Sequence, residues 1–149
     1  MSNYRRTANW LKACGKEQKN IEHITAQLGC FLEEVIELLD MVSSNNTLFF
    51  RKVINTKQDF HSLIDMIKNG QASAYITLAN RENTIKELCD ISVTVDGLAY
   101  LLGMDKESAD QKVLDSNDAK LVNGKPVILP GGKIGKPEGW RGPDLSGCV

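Results

Sequence analysis

Between Lys19 and Arg51 the chain has no lysine or arginine, yet Glu33, Glu34, Glu37 and Asp40 fall within eight positions of that stretch. The same stretch repeats apolar residues at helical spacing: Ile24, Leu28, Leu32, Val35 and Leu39. Such a pattern commits it to a long helix with a core stripe on one side and acids on the other. Glu33 and Glu37 are four apart and Glu34 and Glu37 three apart, so the three glutamates project from one side. A solvated acidic face is the ordinary explanation. A wet helix, however, usually mixes both signs, because pairs four apart attract when opposite and repel when alike. Carboxylates crowded without partners either raise their pKa values or hold a cation.

The rest of the chain organises around that helix. The periodicity places it over residues 21–42, with Asn20 as its N-cap and a break at Ser43-Ser44-Asn45-Asn46. Residues 7–14 read as a short helix ended by Gly15. Leu48-Phe49-Phe50 takes no assigned state, and residues 71–79 stay open between helix and loop. Residues 59–68 form a short amphipathic helix with Phe60, Leu63, Ile64 and Ile67 inward and Gly70 after it. A second long helix covers residues 80–102 with the stripe Ile85, Leu88, Ile91, Val95, Leu98 and Leu102. Asp105 caps a further helix over 106–120. From Leu121 the text is rich in Pro and Gly, and Val127-Ile128-Leu129 before a Gly-Gly turn suits a small hairpin. The expected fold class is all-α: one domain over residues 1–149, with 121–149 as an irregular C-terminal tail.

Composition narrows the function classes. A length of 149 residues suffices for one domain with a real core, and a net charge of −1 gives no pull toward nucleic acid or an anionic membrane. Cys14, Cys30, Cys89 and Cys148 lack metal-type spacing and read as reduced thiols of a cytoplasmic protein. No signal peptide opens the chain, and the apolar run 91–104 is interrupted by Asp96 and too short to span a bilayer.

The two long helices together offer Glu33, Glu34, Glu37, Glu87 and Asp90, which face each other if the helices pack antiparallel. Oxygen-only ligands suit Mg²⁺ or Mn²⁺ rather than zinc, and the lack of an ExxH pair argues against a di-iron bundle. His23 and His61 read as packing or surface residues. Lys86 stands four before Asp90, so an ordinary helix ion pair is the plain alternative for that acid. From Lys120 onward, Lys120, Lys125, Lys133, Lys136 and Arg141 stand against Glu138 and Asp144. Alone, that tail reads as a solvated terminal loop. Beside an acidic metal cage it suggests a flap over a polyphosphate, with metals bridging phosphate oxygens and lysines neutralising the remaining charge.

The arrangement Glu33-Glu34-x-x-Glu37 with Glu87-x-x-Asp90 resembles the signature of the all-α nucleoside triphosphate pyrophosphohydrolases. That superfamily includes MazG-like enzymes, dimeric dUTPases and phosphoribosyl-ATP pyrophosphohydrolases. Ser116-Asn117-Asp118-Ala119-Lys120 and Lys136-Pro137-Glu138-Gly139-Trp140 are similar to the ending of small MazG-like members, in particular the phage MazZ-type enzymes that act on purine deoxynucleotides. The resemblance covers most of residues 21–145.

It implies a MazG-like bundle completed by a homodimer or homotetramer. It also implies metal-assisted hydrolysis of a nucleoside triphosphate to the monophosphate and pyrophosphate, in the host cytoplasm if phage-encoded. By that pattern Glu34, Glu37, Glu87 and Asp90 hold Mg²⁺ or Mn²⁺. Glu33 and Glu34 are the catalytic acids, Glu33 positioning or deprotonating the water. Asn117 and Lys120 meet sugar and phosphate, Lys136 meets the phosphate tail, and Trp140 stacks on a base or pins the flap. Asp96 either accepts from a guanine edge or, as the blander role, is a buried polar group in the helix contact. The chain departs from the pattern at 38–86, a longer insert between the two acid groups than compact members carry. The competing readings are a dUTP or dCTP house-cleaning hydrolase and a nucleotide-binding or purely structural helical module without turnover.

Overall fold

The computed structural model describes residues 1–129 and 134–149. Its helices are α1 (Asn3–Ala13), α2 (Ile21–Asp40), α3 (Thr47–Lys68), α4 (Arg81–Leu101) and α5 (Lys106–Asp118). Short 3-10 turns at Leu78–Asn80 and Ser146–Cys148 and a two-stranded hairpin, β1 (Leu121–Val122) with β2 (Lys125–Pro126), complete the described elements. The architecture is mostly helical, as expected. None of the described helices is long and apolar enough to cross a membrane.

Residues Glu17–Thr77 form one compact unit and Met1–Lys16 with Leu78–Val149 another. The first is an antiparallel helix hairpin. Asn20 caps α2 by accepting from His23 N at 3.2 Å, as its sequence position suggests. Asn46 caps α3 in the same way, accepting from Phe49 N at 3.0 Å. That cap starts α3 twelve residues before the helix expected over 59–68, so Leu48-Phe49-Phe50 is its first turn.

The face of α2 that meets α3 also differs from expectation. Thr25, Gly29 and Ile36 are buried, while Leu28 is exposed and Leu32, Val35 and Leu39 only half-buried. On α3, Ile64 is buried to 2% exposure, but Leu63, expected inward, stays exposed. Small residues explain the shift. A Cβ built on Gly29 would sit 3.5 Å from Ile67 Cγ2, so the helices approach closely at that point. Thr25 donates its hydroxyl to Ile21 O at 2.7 Å and accepts from Ala74 N at 2.9 Å, tying the irregular 71–77 segment to α2.

In the second unit α1 starts at Asn3, capped by Ser2, four residues earlier than expected. It lies along α5, where Arg6 donates to Asp115 at 2.7 Å and to Asp118 at 2.6 Å. Asp105 caps α5 through Ser108 N at 3.0 Å. Those bonds to Ser108 hold the Asp105 carboxyl below its usual range, so its contribution to stability is present above the ordinary aspartate pKa and fades as pH falls below it. Asn123 and Gly124 both take positive φ, 52° and 74°, which makes the β1–β2 turn; this hairpin was not expected. The one that was, around Val127–Leu129, is represented by the Ile128–Ile134 bridge and by Gly135 N donating to Val127 O at 2.6 Å. Its Gly131-Gly132 turn lies outside the described residues.

The expected core stripe of α4 is not a core within the single chain: Ile85, Leu88, Ile91, Val95, Leu98 and Leu102 are between 39% and 59% exposed. No residue of α4 is buried.

Two substitutions separate packing from helix propensity in the α2–α3 hairpin. Ile64→Ala empties a filled site and is expected to cost about 2–4 kcal/mol. Gly29→Ala adds a methyl at ordinary contact distance and is expected to raise stability by about 0.5–1 kcal/mol. Urea titration followed by circular dichroism measures both. A destabilised Gly29→Ala would show that the helices have no room to give at Ile67.

Candidate functional site

The acids of α2 are less isolated than the sequence suggests. Glu33 accepts from Lys68 Nζ of α3 at 2.5 Å, and Asp40 pairs with Lys57 of the same helix. The pairing holds the Lys68 ammonium above its ordinary pKa, chiefly through the bond to Glu33. Glu34 and Glu37 have no hydrogen-bond or ion-pair partner among the described residues and stand exposed three apart on α2. In the other unit, Lys86 donates to Glu87 at 3.1 Å and to Asp90 at 2.6 Å. The ordinary i, i+4 pair is therefore what Asp90 makes here, and Glu87 shares the same ammonium. Both bonds raise the Lys86 pKa, the one to Asp90 more.

The five acids thus divide between the two units, three on α2 and two on α4. Among the described residues no three of His, Cys, Asp or Glu come together as a group able to hold a metal ion. Carboxylate oxygen is the donor type that Mg²⁺ or Mn²⁺ takes, but Glu87 and Asp90 share the Lys86 ammonium and belong to a different unit from Glu34 and Glu37.

The residues expected to meet the substrate are brought together. Lys120 donates to Asn117 Oδ1 at 2.8 Å, and its Nζ lies 5.3 Å from the centre of the Trp140 ring and 6.0 Å from that of Trp10. Lys136 Nζ lies 4.7 Å from the Trp140 ring centre. Both indole N–H groups serve the end of α5: Trp140 donates to Ser116 O at 2.9 Å and Trp10 to Asn117 O at 2.8 Å. Trp140 is therefore pinned in the free chain, with ammonium groups over its ring. Trp10 was not among the expected residues; its signal was a lone tryptophan in an otherwise polar α1.

No protein-family model, curated protein or solved structure matches the chain.

Asn117 also borders a cleft of about 410 Å³ in the same unit, shared with Thr7, Ser92, Asp96, Lys106 and Asp110. Asp96 is not the buried helix-contact group expected of it. Its side chain is 62% exposed and its Oδ1 pairs with Lys106 Nζ at 3.1 Å. Lys106 also binds Asp110 at 2.8 Å, so one ammonium holds two carboxylates at the edge of the cleft. His23 Nδ1 accepts from Glu17 N at 2.9 Å and His61 is exposed, in keeping with packing and surface roles. The four cysteines are free thiols, and burial pushes that of Cys14 up.

The end of α5 thus carries a basic, aromatic pole in which Lys120 and Lys136 lie over the Trp140 ring. Trp140→Phe keeps a ring under Lys136 and removes the donor to Ser116 O. The loss is expected to be about 1 kcal/mol, with faster amide exchange over residues 134–149. Unchanged stability and exchange would show that the indole N–H does not hold the tail.

Proposed function

We propose that the chain is a metal-dependent nucleoside triphosphate diphosphohydrolase acting as a homo-oligomer in the cytoplasm. Its substrate is a purine (d)NTP such as dGTP, GTP or dATP, its products the monophosphate and pyrophosphate. The observation that carries this reading is the gathering of Asn117, Lys120, Lys136 and Trp140, contributed by α5 and by a tail segment beyond it, into one basic cluster. Glu34 and Glu37, unpaired among the described residues, support it from the acidic side, and the exposed stripe of α4 supports association.

In the reaction, a water oxygen bonds to the α-phosphorus as the bond from that phosphorus to the β-phosphate oxygen breaks, and pyrophosphate leaves. Mg²⁺ or Mn²⁺, if bound, would supply Lewis acidity toward the phosphate and lower the pKa of the water, so that a carboxylate would suffice as base. By the resemblance, the ligands would be Glu34 and Glu37 in one unit and Glu87 and Asp90 in the other. Glu33, the second catalytic acid beside Glu34, would position the water or take its proton, once its pair with Lys68 opens. Lys120 and Lys136 balance the charge of the phosphates, and Asn117 orients the sugar. The cleft beside Asn117 is of a size that accommodates a nucleoside.

A second reading, a nucleotide-binding helical module without turnover, is favoured by the lysines that already neutralise Glu33, Glu87 and Asp90. A third is a dUTP or dCTP hydrolase. Incubation with each triphosphate and Mn²⁺, with the products resolved, separates them. Pyrophosphate release from a purine nucleotide is expected, a pyrimidine preference selects the third reading, and silence across the panel selects the second.

Glu37→Gln is expected to lower turnover by at least about 10–100-fold while leaving the fold intact, since it removes a repelling charge. A fully active variant takes Glu37 out of the site. Mn²⁺ is expected to raise the melting temperature at neutral pH, and the gain to vanish in acid as the carboxylates protonate. An unshifted melting curve at saturating Mn²⁺ removes the metal from the proposal.

A further inference from the structure

The two tryptophans at the end of α5 are covered unequally. Trp140 lies under both Lys120 and Lys136, at 5.3 and 4.7 Å. Trp10 has Lys120 at the longer distance of 6.0 Å, and its ring also lines a cavity of about 450 Å³. Met1, Ala13 and Leu121 complete the apolar wall of that cavity, and Asn9, Arg6 and Asp118 form its polar edge. Most of this wall comes from α1, which lies outside the stretch 21–145 that the resemblance covers. The bond from Trp10 Nε1 to Asn117 O, at 2.8 Å, fixes the plane of the ring.

A cavity of this size with an aromatic wall suits a small ligand. The charges at its edge cancel. Arg6 Nη2 donates to Asp118 at 2.6 Å and to Asp115 at 2.7 Å, and Nη1 donates to Gln111 at 3.1 Å. The part of a ligand that enters is therefore an uncharged, flat ring rather than a phosphate. Just beyond it stands Lys120, over the same indole. A nucleotide meets both conditions, with its base stacked on Trp10 and its phosphates toward the lysine. The cleft beside Asn117 suits a base less well, because Asp96, Lys106 and Asp110 wall it with charge.

The purines differ in what they ask of a polar edge. The O6 and N7 of guanine are best met by a cationic donor such as a guanidinium, the N6 and N7 of adenine by an amide that accepts and donates side by side. Both terminal nitrogens of Arg6 are already engaged. Asn9 Nδ2 meets, among the described residues, the Met1 thioether at 3.5 Å. That sulfur is a weak acceptor, which a base nitrogen displaces readily.

We infer that the Trp10 cavity is a base subsite that selects adenine, Trp10 stacking on the ring and Asn9 reading its N6 and N7 edge. The inference rests on the nucleotide reading above and narrows its purine to one. It requires neither metal nor turnover.

Fluorescence of the full chain tests it. A Trp140→Phe chain keeps Trp10 as its one tryptophan. Adenosine monophosphate, guanosine monophosphate and inorganic pyrophosphate are added to it separately, with a chelator present. Adenosine monophosphate is expected to quench Trp10 and to bind about tenfold tighter than guanosine monophosphate, and pyrophosphate to leave the emission unchanged. Ala13→Leu fills the cavity from an exposed position and is expected to abolish the quench at an unchanged melting temperature. Asn9→Leu is expected to keep the quench and erase the preference for adenine. The inference is overturned by a Trp10 that adenosine monophosphate does not quench, by equal quenching with pyrophosphate, by a preference for guanine, or by a quench that survives Ala13→Leu. A chain that binds adenosine monophosphate and cuts no triphosphate keeps this inference and loses hydrolysis. Pyrophosphate release with an unaltered KM in Ala13→Leu keeps hydrolysis and loses this inference.

Discussion

The last turn of a helix leaves carbonyl oxygens that no residue of that helix can satisfy. In α5 two of these, on Ser116 and Asn117, are met by the indole N–H groups of Trp140 and Trp10. One donor comes from the first helix of the chain and the other from its tail; Asn117 O also accepts from Lys120 N at 3.0 Å. Lys120 and Lys136 then settle over the Trp140 ring. The double cap works beside other ties: Arg6 of α1 pairs with Asp115 and Asp118, and Lys112 of α5 donates to Asp144 O of the tail.

The acidic side is balanced differently. Lys68 and Lys86 stand where cations are wanted, at distances of 2.5–3.1 Å from three of the five acids. Such pairs are exposed and of small net worth, because water competes for both partners. A divalent ion brings twice the charge to the same oxygens, and the side chain of a lysine at the surface can turn away at little cost. The pairs are thus compatible with a site that awaits a metal and with a face that needs none, which is why the products of the triphosphate panel decide between the readings.

Much of the fold was legible. α2 announces itself through Asn20 and its periodicity, and α4 and α5 through theirs. What misled was the choice of face on α2. The expected stripe of Ile24, Leu28, Leu32, Val35 and Leu39 was chosen for large apolar residues, and of these Leu28 is exposed and the other four half-buried. The contact with α3 uses Thr25 and Gly29 instead, since close approach needs small side chains. The start of α3 was hidden for a related reason. Arg51, Lys52 and Gln58 dilute its apolar rhythm, and Asn46 sets its origin through a cap that Ser43-Ser44-Asn45 could equally have supplied by composition. The spacing of the acids was plain, but not their partners, because Lys68 lies 35 residues from Glu33. Asn117, Lys120, Lys136 and Trp140 were legible only through resemblance; their meeting rests on the tail folding back, which no local pattern encodes.

Among the described residues the buried apolar side chains are Cys14, Ile36, Ile64 and Cys148. For a chain of 149 residues that is a thin interior, while α2 and α4 both present apolar stripes to water. Folding must offset roughly 1–2 kcal/mol of backbone entropy per residue, chiefly by removing apolar surface from water. The exposed stripes are a reserve of such surface. Both acid groups ride on the helices that carry these stripes, on sides the stripes do not use. Burying these faces would make the helices more rigid, and a set of ligands has to be held by rigid elements before it can bind an ion at a fixed geometry.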